Sequence, residues 1–310
     1  MKKDKMTKKT LAIMTGLLIT SIASAEEQTP VIYKTPTEIN IDGKLTEPAW
    51  KNAIKTPTIY FKKKDKFCIS TNILANTQLC WDSNYLYIAY ETFDKDMIAA
   101  SQDRLIGPEN NKRTPVVINP NEVKNVDVIE FFITWGSKNF FWELHHNAKN
   151  DFSDVWCVVA DESWEISKTK AFIWGIHFGD TLWIKEYDNN KATFKKAVTL
   201  KQKGDGETST INDSSDVDSG YIAEIRLPIG SIAVPTKAEV FETYTNAQGN
   251  ERRRSAGFDL DNINIRVLTV VQDMTTKTRY HWSSPNFKGN WFQHHATNWN
   301  NFIFSEKISR

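Results

Sequence analysis

Val126-Asp127-Val128-Ile129-Glu130-Phe131-Phe132-Ile133 and Phe140-Phe141-Trp142-Glu143-Leu144-His145-His146-Asn147 read as two strands, joined by Trp135-Gly136-Ser137-Lys138-Asn139. β-branched and aromatic residues fill both runs, and a Gly-containing turn divides them. Side chains alternate across a strand, so Val128, Glu130 and Phe132 fall on one face. In the second run Phe141, Glu143, His145 and Asn147 share one face, and Phe140, Trp142, Leu144 and His146 share the other. A carboxylate set between Val128 and Phe132 is costly to bury unless something binds it. What Glu130 is for is the question this hairpin poses.

The same pattern extends in both directions. Ile39 to Leu45 is a short strand running into an Asp-Gly turn, followed by Thr46-Glu47-Pro48-Ala49-Trp50, with Thr46 as the expected N-cap of a helical turn and Pro48 in its first turn. Trp50 is expected to plug the core beneath it. Thr77–Trp81 and Tyr85–Tyr90 form a second hairpin around Asp82-Ser83-Asn84. Ser101 to Lys124 reads as a long polar loop. Residues 152–205 alternate aromatic and polar residues as several short strands, and Gly204 to Ser219 is surface loop. Tyr221–Pro228 and Ile263–Val271 are strands, Gln248 to Ser255 is a charged loop tip, and Asn301–Phe304 is the closing strand. No long segment has helical period. The expected fold is an all-β antiparallel sandwich, jelly-roll-like, with long loops and little helix.

The chain has 310 residues. Lys2, Lys3, Lys5, Lys8 and Lys9 precede the apolar run Leu11–Ile22, and Ala23-Ser24-Ala25 is a small-x-small cleavage motif. This predicts a signal peptide over residues 1–25, cleaved after Ala25, and a secreted or periplasmic single domain over 26–310. Losing residues 1–25 removes five lysines and one aspartate, which takes the formal net charge from +1 to −3. That balance argues against nucleic acid as a partner, and no later apolar run reaches membrane length. Three cysteines, Cys68, Cys80 and Cys157, allow either one bridge, with Cys68–Cys80 within loop reach, or three reduced thiols.

Five stretches carry a resemblance. They are Ile39 to Trp50, Trp81 to Ile88, Asp127 to Ile133, Gly220 to Ile225, and Trp282-Ser283-Ser284-Pro285. In this order the chain resembles family 9 carbohydrate-binding modules and their relatives. The resemblance implies a β-sandwich that holds plant-type polysaccharide ends or oligosaccharides, with structural calcium, in systems where glycoside hydrolases act. It places Glu130 on the family's sugar-hydroxyl-binding glutamate and Trp291 near the later tryptophan of its aromatic clamp. Arg266 stands where a ligand-facing glutamine falls, and Glu143 and His145 stand where arginine and asparagine fall. Lys124 occupies the place of the earlier clamp tryptophan.

The residues themselves leave several readings open. Sugar sites combine aromatic platforms with a few fixed polar groups, and Glu130, Arg266, Glu143, His145 and Trp291 supply both. Glu130 and Arg266 would fix hydroxyls, Trp291 would stack, and Glu143 and His145 would tune specificity. The competing reading pairs Glu130 with Arg266 as two buried charges. Asp94 with Asp96, or Asp151 with Asp154, could offer oxygen ligands to calcium. His145-His146 and His294-His295 lack zinc-motif spacing. Two further readings are a glycosidase using Glu130 and Glu143, and a haem-binding relative using Met97, Met274 or histidine. Non-catalytic carbohydrate binding is the expected function.

Overall fold

The computed structural model describes residues 29–63, 66–99, 126–135, 140–159, 172–177, 194–229, 243–245, 251–253, 264–275, 280–286 and 296–308. The chain opens with β1 (Val31–Lys34), the five-residue helix α1 (Pro48–Asn52), β2 (Lys55–Thr58), β3 (Tyr60–Lys63) and β4 (Lys66–Ile69). β5 (Ala75–Trp81) and β6 (Tyr85–Thr92) form a hairpin. Its turn is an Asx device: Asp82 Oδ1 accepts the N–H groups of Asn84 at 2.7 Å and Tyr85 at 2.8 Å. β7 (Val128–Trp135), β8 (Phe140–His146), β9 (Phe152–Val159) and β10 (Phe172–His177) follow as an antiparallel ribbon. Then come β11 (Lys195–Leu200), β12 (Tyr221–Pro228), β13 (Thr243–Thr245), β14 (Glu251–Arg253), β15 (Asn264–Gln272) and β16 (Tyr280–Trp282). A 3-10 turn over Ala296–Asn298 leads into β17 (Asn300–Ile308).

One sheet carries most of these strands, in the order β10-β9-β8-β7-β15-β17-β1-β5-β6-β12-β11. The sheet doubles over so that its two halves face each other, which makes it a sandwich. Ile88 and Tyr90 on β6, Ile225 on β12, Phe131 on β7, Leu144 on β8 and Val267 on β15 share one buried cluster. The Tyr90 and Phe131 rings lie 5.1 Å apart across it, and Thr77 and Thr269 hydroxyls meet at 2.8 Å. The seam between the halves is β1, parallel to both β17 and β5.

Both halves also bury part of their outer faces, so their central strands carry apolar residues on both sides. Tyr85, Tyr87 and Ala89 of β6 pack under Ile39, Ala49 and Trp50. Phe132, Phe141, Leu268 and Val270 of the other half pack with Trp282, Ala296 and Trp299. The expected Thr46 cap is displaced by one residue: Glu47 is the N-cap, with no side-chain cap bond, because Pro48 already occupies the first turn. Arg252 and Arg253 sit in a two-stranded hairpin with β13 rather than in a loop tip. Cys68 on β4 and Cys80 on β5 are free thiols in separate parts of the sheet, so the Cys68–Cys80 bridge is not made. The Cys157 side chain, Trp291, His294, His295 and the 101–124 segment lie outside the described residues. Among the described residues no helix is long and apolar enough to cross a membrane.

Candidate functional site

The β7–β8 hairpin sorts its side chains as the alternation requires. Phe131 and Leu144 point into the sandwich, while Phe132 and Phe141 join the outer cluster. Glu130 is therefore on the outer face, directly opposite His145 on β8 and Val270 on β15. Glu143 lies two residues before His145, on the same face and opposite Phe132. His145 Nε2 is 2.9 Å from Glu143 Oε1 and 4.0 Å from Glu130 Oε1. The three residues are only 8%, 6% and 5% exposed for Glu130, Glu143 and His145. Aromatic rings border this polar group: Phe132, Phe141 and Trp299 pack pairwise in tilted or edge-on geometry with centroids 5.2 to 6.1 Å apart.

Arg266 shares this outer face but not this level. β15 pairs Val270 with Glu130, Leu268 with Phe132 and Arg266 with Thr134. Four residues of strand separate the Glu130 and Arg266 levels, about 13 Å at the usual rise, with the Phe132/Leu268 pair between them. Glu130, Glu143 and His145 are thus brought together, while Arg266 stands at the far end of the aromatic cluster.

A second buried glutamate occupies the outer face of the other half. Glu224 on β12 is fully buried. Its Oε2 accepts the N–H of Asp42 at 3.0 Å and of Gly43 at 2.8 Å, and its Oε1 accepts the Trp50 indole N–H at 2.8 Å. Burial pushes its carboxyl up to about 6, against the pull of those three donors. Gly43 is required there: its φ is +78°, and a Cβ would stand 2.8 Å from the Val198 carbonyl carbon.

A third group closes one end of the sandwich. Asp94, Asp127 and Asp273 border a cavity of about 10 Å³ with Thr92, Tyr221 and Gln272, and Asp218 lies near Asp94. Each carboxylate ties down a loop. Asp127 accepts the N–H groups of Ile98 and Met274, Asp218 those of Met97 and Thr210, Asp273 that of Thr275, and Asp94 that of Asp96. Burial, then the neighbouring aspartates, push Asp127 up to about 8 and Asp94 up to about 6. Of the expected calcium pair, Asp94 belongs to this group, and Asp96 is half-buried beside it. Asp151 instead accepts the Asn147 side-chain amide at 3.2 Å. The Asp154 side chain lies outside the described residues.

Sequence reasoning did not find Asp127, Asp218 and Asp273 as partners of Asp94. The one available signal was that each stands at a strand end, where loops converge. It also did not pair His146 with Tyr90. The Tyr90 hydroxyl donates to His146 Nδ1 at 2.6 Å, and His146 Nε2 donates to Asn150 Oδ1 at 2.8 Å. Burial depresses this imidazole to about 3. Met97, one of the haem candidates, is packed in the core.

No protein-family profile matches the chain, and no curated protein matches it. Among solved structures it is similar to a family 9 carbohydrate-binding module from Caldicellulosiruptor kristjanssonii in complex with cellotriose. That match has 14% identity, 89% of this chain and 94% of that one covered, and a TM-score of 0.44. A family 9 module from the same organism in complex with glucose gives 13% identity, 90% and 98% coverage, and a TM-score of 0.44. A protein from Bacteroides uniformis gives 8% identity, 89% and 99% coverage, and a TM-score of 0.47. The chain is thus similar in structure, at low identity, to proteins that include a family 9 carbohydrate-binding module.

Proposed function

We propose that the protein binds carbohydrate without cleaving it, on the outer face of the β7–β8–β15 half. The observation that carries this reading is the convergence of Glu130, Glu143 and His145 beside Phe132, Phe141 and Trp299. Sugars present hydroxyls, and this arrangement offers charged acceptors for them, with Phe132, Phe141 and Trp299 buried beside the group as its packing support. With the polar groups only 5–8% exposed, a sugar would reach them through a terminal hydroxyl rather than by lying across them. That geometry suits a chain end or a short oligosaccharide, and plant-type polysaccharide is what the resemblance to family 9 modules implies. Glu130 would accept hydroxyl protons, Arg266 would extend the site, Trp291 would stack, and Glu143 and His145 would set specificity. Export by the N-terminal segment and a part in polysaccharide breakdown beside glycoside hydrolases belong to the same reading.

Calorimetric titration with cello- and xylo-oligosaccharides tests it. Glu130→Gln is expected to weaken binding at least about tenfold, the loss of one charge-assisted hydrogen bond. No heat with any of these sugars at millimolar concentration would overturn the ligand. Sugar release that Glu130→Gln abolishes would overturn the non-catalytic reading.

Calcium is proposed for the aspartate group at the end of the sandwich. Oxygen-only donors around a cavity of about one-water size fit a hard cation. Asp94 would hold it, with Asp127, Asp218 and Asp273 adding charge nearby. The ion would supply charge neutralisation to loops that the carboxylates already pin.

A further inference from the structure

The outer-face group on the β7–β8 hairpin also meets a requirement that its sequence spacing hides. One donor atom from each of Glu130, Glu143 and His145 lies within 4.8 Å of the other two. Metal–ligand bonds of about 2.0–2.2 Å place neighbouring donors about 3.0–3.5 Å apart. The His145–Glu143 separation of 2.9 Å is already near that, and the 4.0 Å to Glu130 closes with a small movement of one carboxylate. Both carboxylates approach the same nitrogen, Nε2. Strands set the arrangement: Glu130 and His145 are direct cross-strand partners, and Glu143 is two residues from His145 on one face.

We propose that Glu130, Glu143 and His145 bind a divalent transition-metal ion, with Zn2+ preferred. Two carboxylates and one imidazole form a borderline ligand set that suits Zn2+ or Mn2+. Calcium instead asks for six to eight oxygens. A dication would place positive charge beside both carboxylates, at a place where all three residues are buried. Three protein ligands leave a coordination position for water or an incoming oxygen. This ion site stands on the three donor atoms and does not depend on the carbohydrate reading. It is separate from the aspartate group, which has no nitrogen donor.

The full chain, stripped with EDTA and dialysed, is titrated with ZnCl2 by calorimetry at neutral pH, and its metal content is measured by mass spectrometry. One equivalent is expected, with Mn2+ weaker and Ca2+ weaker still. Glu143→Gln and His145→Asn should each lower Zn2+ affinity at least about tenfold, while Asp213→Asn in a surface loop leaves it unchanged. Co2+ in the unaltered chain should give a visible absorption band, which keeps the test decisive if a variant does not fold. No Zn2+ binding and no Co2+ band in the unaltered chain would overturn the proposal, as would binding that survives in both variants. Sugar titrations with and without Zn2+ separate the two readings. Sugar binding without any metal binding sinks the ion site alone, and metal binding without sugar sinks the carbohydrate site alone.

Discussion

Glu224 and Glu130 occupy equivalent places in the two halves of the sandwich. Each is a carboxylate on the outer face of a central strand, and each is buried. Their surroundings differ in kind. Glu224 receives two backbone N–H groups and an indole N–H from one segment, Asp42 to Trp50, so it clamps that segment to β12. Glu130 shares a histidine with a second carboxylate. A carboxylate met by several fixed donors is a structural clamp. Two acids held beside one histidine each gain from a cation or hydroxyl donor placed between them.

Removing each carboxylate should separate these roles, and the largest effect belongs to the clamp. Glu224→Ala leaves three buried donors without their acceptor and is expected to cost about 3–5 kcal/mol, read as the urea midpoint. Glu130→Gln removes one charge from the Glu130, Glu143 and His145 group and should cost less stability than the clamp variant while changing ligand affinity. If Glu130→Gln destabilises as much as Glu224→Ala, the distinction fails.

The next effect comes from the buried imidazole behind the hairpin. His146 titrates near 3 in the folded protein, against an ordinary 6.5. Its neutral form is the one the fold holds. Stability is full above pH 6.5 and falls by up to about 1.4 kcal/mol per unit as pH drops from there toward 3. Acid titration of thermal stability should show this slope, and His146→Gln should flatten it.

The aspartate group should respond in the opposite direction. Asp127, raised to about 8, keeps a proton that the unfolded chain has released above 3.8. In EDTA its contribution is therefore lost as pH rises from about 4 to 8, by at most about 1.4 kcal/mol per unit. Calcium should restore Tm at pH 8 and do little at pH 5, where the acid is protonated. An equal calcium effect at both values would rule out this group as the site.

The smallest expected effect sharpens the clamp itself. Trp50→Phe keeps the ring under α1 but withdraws one donor from Glu224, and should cost about 1–2 kcal/mol.

The two glutamates also show which parts of the fold are legible in the chain. The five stretches that suggested the fold are mostly devices of the scaffold. Asp42-Gly43 and Trp50 meet Glu224, although the contact spans more than 170 positions. Asp82 caps its turn and accepts the Tyr87 hydroxyl at 2.5 Å. Asp127 holds Ile98 and Met274, and Ser283 Oγ accepts the Thr269 N–H at 2.9 Å. Such residues are legible because each serves a local turn or strand end. The faces of β7 and β8 were legible because alternation has a fixed period. What alternation cannot supply is the level along a neighbouring strand. Only the β7–β15 register shows Arg266 level with Thr134 rather than Glu130. For the same reason the Glu143, His145 and Glu130 group has no linear motif: two members stand two residues apart and the third comes from the paired strand.

The parallel pairing of β1 with β17 bears on how the molecule assembles. Val31 lies against Ile303, so the two halves are joined through strands about as far apart as the chain allows. Closing that loop from an otherwise open chain costs about 5 kcal/mol in entropy. The hairpins β5–β6 and β7–β8 close over a few residues and can form early. The seam is therefore expected to form last. Until the final strand is in place, each half is a partly assembled sheet with an unpaired central edge, and that interval is when the protein is most exposed to proteases and to self-association.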